Sequence, residues 1–142
     1  MPLEPVSTVP DVGSVQPELV ELETPVGPAW QPVIRLVLGG IANRLQLGYD
    51  ELDDLQLAVE RLLVEASAQE RVRLAVELHD AGVSARVGPL RAEPLADALQ
   101  GPLPPPGELT LRVVLETVVD SFGVEHVDGD ELVVRLDKVV GR

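Results

Sequence analysis

From Arg71 to Val87 the chain alternates between apolar and other residues, and this alternation limits the fold more than any other feature. RVRLAVELH puts Val72, Leu74, Val76 and Leu78 on one side of an extended strand. Asp80-Ala81-Gly82 supplies a turn, and Val83, Ala85 and Val87 resume the alternation after it. The segment is predicted to be a β-hairpin. One face of it is apolar, and the rest of the chain has to cover that face.

The cover is predicted upstream. Val33/Ile34, Val37/Leu38, Ile41 and Leu45 recur at helical spacing. Pro32 falls in the first turn, where a missing N–H costs little. Gly39-Gly40 are poor helix formers, and such a pair suggests either close approach of another element or simple tolerance on a packed helix. Gly48 is expected to close this helix and Asp50 to cap the next, whose first turn is rich in acid. The second helix is expected to reach Ala68, with Leu52, Leu55, Val59, Leu62 and Ala66 inward.

Upstream of both helices, ELVELET at 18–24 alternates like a strand and is stopped by Pro25, Gly27 and Pro28. Downstream of the hairpin, Gly88-Pro89 is expected to end the strand. A short helix is predicted over 94–100, an extended GPLPPPG over 101–107, and a helix over 108–122 with Phe122 inward. Residues 124–127 and 132–139 then form a second hairpin. Pro2, Pro5, Pro10 and Pro17 mark residues 1–17 as an extended tail. The order implies an α+β two-layer sandwich over residues 18–140. One mixed β-sheet would be covered on one face by about three helices.

Trp30, Tyr49 and Phe122 are the only aromatic residues, so the core must be aliphatic. No cysteine is present, which excludes disulfides and thiolate metal sites. The net charge of −13 opposes binding to nucleic-acid phosphates and suits a basic protein partner or simple solvation. No apolar run reaches the roughly 18 residues of a membrane span. MPLEPVSTVP has neither the cationic start nor the apolar core of a secretory signal, so a cytoplasmic location is expected. His79 and His126 lack metal-ligand spacing, and no pattern around Ser84 or Ser121 points to a catalytic triad.

Residues 18–67 resemble the opening of the anti-sigma regulatory factors, which are serine/threonine-protein kinases of the histidine-kinase-like ATPase superfamily. The likeness rests on a strand, a Pro/Gly turn, two helices and the phrase DELDDLQLAV. LETVVDSFGVEHVDGDELVVRLDKV resembles the family's last helix and closing hairpin, so most of residues 18–140 is covered.

The resemblance implies an ATP pocket with four parts: a Glu that activates the nucleophile, an Asn that holds Mg²⁺, an Asp that reads adenine, and glycines beside the phosphates. The family continues AV-x-E-A-x-x-N. Aligned on Asp54, Leu55, Ala58 and Val59, this chain has Arg61 in place of the Glu and Glu65 in place of the Asn. A shifted register offers Glu60 as the Glu but leaves Val64 at the Asn position. Gly88-Pro89-Leu90 stands where the adenine-reading carboxylate belongs. Leu109 and Leu111 fall on glycine positions, where a bulky side chain would fill the phosphate site.

Arg61 and Glu65, at i and i+4, can pair with each other, either across the vacated site or as a solvated surface pair. Arg61, Glu65, Gly88, Leu109 and Leu111 are thus read as vestigial pocket positions. No catalytic residue, metal ligand or cofactor is expected, with ATP and Mg²⁺ the cofactors if the pocket works after all.

Arg35 matches the arginine of the family's first-helix phrase, which implies a contact with a sigma factor or its antagonist. Asn43 and Arg44 are expected to extend that surface. The function implied is an anti-sigma-factor-like regulatory domain that binds a sigma factor or an anti-anti-sigma factor, with homodimerisation by analogy. A divergent ATP-dependent serine/threonine kinase using Glu60 or Glu65 is one alternative. A structural or oligomerisation domain is another.

Overall fold

A computed structural model describes residues 18–66, 68–80, 82–102 and 105–139, with the backbone alone at 93–94. The predicted tail, 1–17, lies outside the described residues. The elements are β1 (Glu18–Pro25), a 3-10 turn (Pro28–Trp30), α1 (Gln31–Leu45), α2 (Tyr49–Glu65), β2 (Arg71–His79) and β3 (Gly82–Arg91). They continue with α3 (Ala92–Gln100), α4 (Leu111–Val118), β4 (Ser121–His126) and β5 (Glu131–Val139).

The strands form one sheet in the order β1-β2-β3-β5-β4. Every neighbouring pair is antiparallel. The two-layer α+β architecture is as expected, but the sheet is not mixed. A single crossover helix returns the chain parallel to the strand it left. Here two helices in succession, α1 and α2, separate β1 from β2, and the second reverses the direction once more.

Val72, Leu74, Val76 and Leu78 on β2, Val83, Ala85 and Val87 on β3, and Leu132, Val134 and Leu136 on β5 point into one core. Ile34, Leu38 and Ile41 from α1 cover it, with Leu55, Val59 and Leu62 from α2 and Leu111, Val114 and Leu115 from α4. The opposite sheet face is polar. There Arg86 pairs with Glu77 and Glu125, and Arg135 pairs with Glu125 and Asp137.

Helix α2 stops at Glu65, short of Ala68, and α4 starts at Leu111 rather than 108; four further boundaries differ for an evident physical reason. Helix α1 ends at Leu45, with Gln46 in the left-handed region at φ 59°. Gly48 instead opens α2, where its N–H donates to the Glu51 carboxylate at 2.8 Å. Asp50 therefore sits inside the first turn of α2 rather than capping it.

Strand β3 runs on through Gly88-Pro89 to Arg91, because a register shift between Val87 and Leu90 absorbs the irregularity. Helix α4 stops at Val118, so Phe122 lies in β4 and not in a helix. Strand pairing outcompetes the helix there. The Asp120 N–H donates to Asp137 O at 3.0 Å, and the Val139 N–H donates to the Asp120 carboxylate at 2.6 Å.

Candidate functional site

The positions that would build a nucleotide pocket do not converge. Arg61 is half-buried near the end of α2, and Glu65 is exposed as its last residue. They do not form the anticipated ion pair, which is absent from the salt bridges of the described residues. The spacing allows the pair, but an exposed pair of long side chains gains too little to fix both in one geometry.

Gly88 lies on the open side of the sheet. A Cβ there would stand 3.0 Å from Leu132 O and 3.0 Å from the Val133 side chain. The missing side chain therefore lets β3 and β5 approach each other and is not facing the helices. Gly88 borders a shallow groove with Arg73, Arg86 and Val133, whereas Leu109 borders a separate one with Pro105 and Glu108. Leu109 is 79% exposed and fills nothing. Leu111 is buried in the common core at the first turn of α4. Thr110 caps that helix, accepting from the Val113 N–H at 3.3 Å.

The matched positions do not carry the residue types that the resemblance calls for in an ATP–Mg²⁺ pocket. Arg61 is a fixed cation and cannot act as a base. Glu60, the shifted-register candidate, receives Arg35 at 2.6 and 3.0 Å. Among the described residues no three His, Asp or Glu side chains gather as a metal site.

Asp54, in the phrase that carries the resemblance, takes a structural part that sequence reasoning missed. Lys138 on β5 donates to Asp54 on α2 at 3.2 Å and to Val118 O at the end of α4 at 2.8 Å. The signal was present in the alternation. Leu132, Val134 and Leu136 point inward, and so therefore does position 138.

Ser84 and Ser121 both donate to Asp137, at 2.7 and 2.9 Å. His79 meets Ser84 at 3.3 Å and not the carboxylate. Without a histidine between Ser84 and Asp137, this cluster orients a carboxylate and does not activate a nucleophile. Burial pushes the Asp137 carboxyl up, but hydrogen bonds from Ser84, Arg135 and Ser121 outweigh it and hold the group below the usual aspartate range.

The three expected contact residues on α1 do not share a face. Arg35 turns toward α2 and Glu60, whereas Arg44 turns toward β1 and grips Glu18 through both guanidinium branches. Nine residues at about 100° each place them on opposite flanks. Asn43 is exposed and lies nearer the line of Arg35 and Gly39. Between the flanks α1 presents Val33, Leu36, Gly39 and Gly40. Leu36 is 76% exposed. A Cβ at either glycine would have nothing within 4 Å. No close approach of another element to this pair is found among the described residues.

No helix of the described residues is long and apolar enough to cross a membrane.

No family profile matches the chain. It is similar to the serine-protein kinases RsbW of several bacilli. The protein of Bacillus mycoides is 25% identical over 129 residues, covering 79% of this chain and 80% of the relative. That of Halalkalibacterium halodurans is 43% identical over 44 residues, covering 31% of this chain and 27% of the relative. That of Bacillus subtilis is 37% identical over 49 residues, 34% of this chain and 31% of the relative. The stronger identities thus span under a third of those relatives' lengths, and the weaker one spans most of both chains.

Proposed function

We propose that this chain, a relative of the RsbW serine-protein kinases, is an anti-sigma-factor-like binding module that works without nucleotide. Its client is a sigma factor or an anti-anti-sigma factor in the bacterial cytoplasm, and its contact surface is the outer face of α1. The reading takes its partner class from the resemblance and its surface from the geometry.

One observation carries it. Gly39 and Gly40 sit mid-helix, where each costs about 1 kcal/mol relative to alanine. Nothing in the described protein uses the space they leave. On the same helix Leu36 and Val33 are exposed, and so is Trp30 just before its start. A flat apolar strip flanked by Arg35 and Asn43 suits a helix or loop of a partner that packs close to the α1 backbone. The kinase alternative would need Glu60 or Glu65 beside a phosphate site, but Arg35 holds Glu60 and Glu65 faces solvent.

The test is co-purification of the tagged chain with its host's sigma factors and anti-anti-sigma factors, wild type against Leu36→Glu. Capture of one of them by the wild type alone supports the reading. Phosphate transfer from labelled ATP to a partner serine would replace it with the kinase reading. Capture unaffected by Leu36→Glu would move the contact off α1.

A further inference from the structure

The geometry points to the outer edge of β4 as a docking strand for an extended, basic segment of a protein partner. The sheet has two outer edges, β1 and β4. Strand β1 is guarded, with Glu18, Glu21 and Glu23 along it and Pro25 at its end. Such residues discourage a further strand from pairing.

Strand β4 reads SFGVEH, with neither proline nor lysine. Its register with β5 is unbroken from Ser121↔Asp137 to His126↔Leu132. Its one acid, Glu125, is engaged by Arg86 and Arg135. The Val127 N–H donates to Glu131 O at 3.0 Å, which sets the phase of the ladder. Antiparallel alternation then turns the N–H and C=O of Phe122, Val124 and His126 outward. Among the described residues no backbone group of another element bonds to them.

A cavity of 430 Å³ lies beside this edge, walled by Leu99, Val119, Phe122 and Val124, with Glu116 and Asp120 also lining it. Glu116 shares its carboxylate with Arg112 at 3.2 Å, and Asp120 accepts from Val139 N–H. Among the described residues no lysine or arginine lines the cavity. A second copy of this chain, itself at −13, would bring the same acids to the same place, so repulsion disfavours β4-to-β4 pairing. A strand that alternates apolar residues with lysine or arginine meets all three features. Its backbone pairs with the outward groups, its apolar residues enter the cavity, and its cations face the acids.

The test is fluorescence anisotropy of the full chain with a labelled octapeptide alternating valine and lysine. Two controls are a valine–glutamate peptide and a valine–lysine peptide N-methylated on alternate amides. Saturable binding is expected for the first, weaker by about tenfold or more for the glutamate peptide, and lost on N-methylation. Glu116→Lys is expected to reverse the charge preference. Val124→Pro removes an outward donor and none aimed at β5, so it is expected to abolish binding. If Val124→Pro does not fold, Glu116→Lys decides alone. Equal binding of the lysine and glutamate peptides, or no saturable binding, overturns the proposal. So does a wild-type dimer in sedimentation that Val124→Pro dissolves, since that gives the edge to a second copy.

Discussion

Arg35 on α1 and Glu60 on α2 close on each other at two points, Nε to Oε2 at 2.6 Å and Nη2 to Oε1 at 3.0 Å. The pair ties the arginine proposed to meet a partner to the glutamate that a shifted register would make catalytic. Glu60 is the more enclosed of the two, at 19% exposure against 56% for Arg35. It therefore anchors a guanidinium whose rim stays open to solvent. Its carboxylate also raises the Arg35 pKa through their hydrogen bonds and its charge.

Arg35→Ala and Glu60→Gln are expected to weaken partner binding together, the first by removing the contact and the second by releasing it. The thermal midpoint should move little for either, since exposed pairs contribute little to stability. Titration calorimetry against the captured partner, with melting curves alongside, checks this. A Glu60→Gln variant with wild-type affinity would show that Arg35 needs no positioning.

Neither the wild type nor Arg61→Glu/Glu65→Asn is expected to bind ATP–Mg²⁺. Restoring two ligand types does not move Gly88 off the open sheet face or Leu111 out of the core. Calorimetry at millimolar nucleotide reads this directly. Binding by the double variant alone would show a pocket that had lost its ligands but kept its shape.

Gly39→Ala and Gly40→Ala are expected to stabilise the isolated chain by about 0.4–1 kcal/mol each, chiefly by narrowing the unfolded ensemble. The added methyl meets no atom within 4 Å. The same changes should weaken the partner complex. Urea denaturation and affinity measured on the same variants separate the two effects, and higher stability with unchanged affinity would remove the glycines from the interface.

Asp137→Asn is expected to cost about 1–3 kcal/mol at neutral pH, because Ser84, Ser121 and Arg135 all donate to that carboxylate. The folded pKa lies below the unfolded one. The stabilisation is therefore full above the unfolded value of about 3.9 and is lost as pH falls through the folded value. Urea melts of both proteins at pH 7 and pH 3 should show the gap narrowing. A gap of the same size at both would assign the loss to packing.

Gly82→Ala is expected to destabilise by about 2 kcal/mol or more. Its Cβ would fall 2.1 Å from Lys138 O on the neighbouring strand, at a φ of +155°. Gly123→Ala should cost less. There the nearest atom is Arg135 Nη2 at 2.7 Å, the movable end of a long side chain. Chemical denaturation of the two variants ranks them.

The hairpin β2–β3 and helices α1 and α2 were legible because their apolar periods are clean and each buries one face. The boundary at Phe122 was not, because LETVVDSFGV fits a helix and a strand about equally well and distant β5 decides between them. The candidate site divides in the same way. The places of Arg61 and Glu65 along α2 were readable from its helical period, whereas the exposure of Leu109 was not. That Arg35 and Arg44 diverge to Glu60 and Glu18 was not, since both acids are remote in sequence. Lys138 could have been found by following the alternation of β5 one step past its apolar run.

Strand β5 follows every other described element along the chain, yet it lies inside the sheet, paired on both sides by β3 and β4. A nascent chain that has not yet delivered residues 131–139 has two strand edges with nothing between them and an apolar face left open. Closure must proceed by insertion of a late segment into a waiting gap. Its nucleus depends on pairing between residues far apart in sequence, which makes folding slower than the helix content alone would set. Until that insertion, the exposed edges of β3 and β4 are where the chain is most open to capture by a chaperone or by another copy of itself.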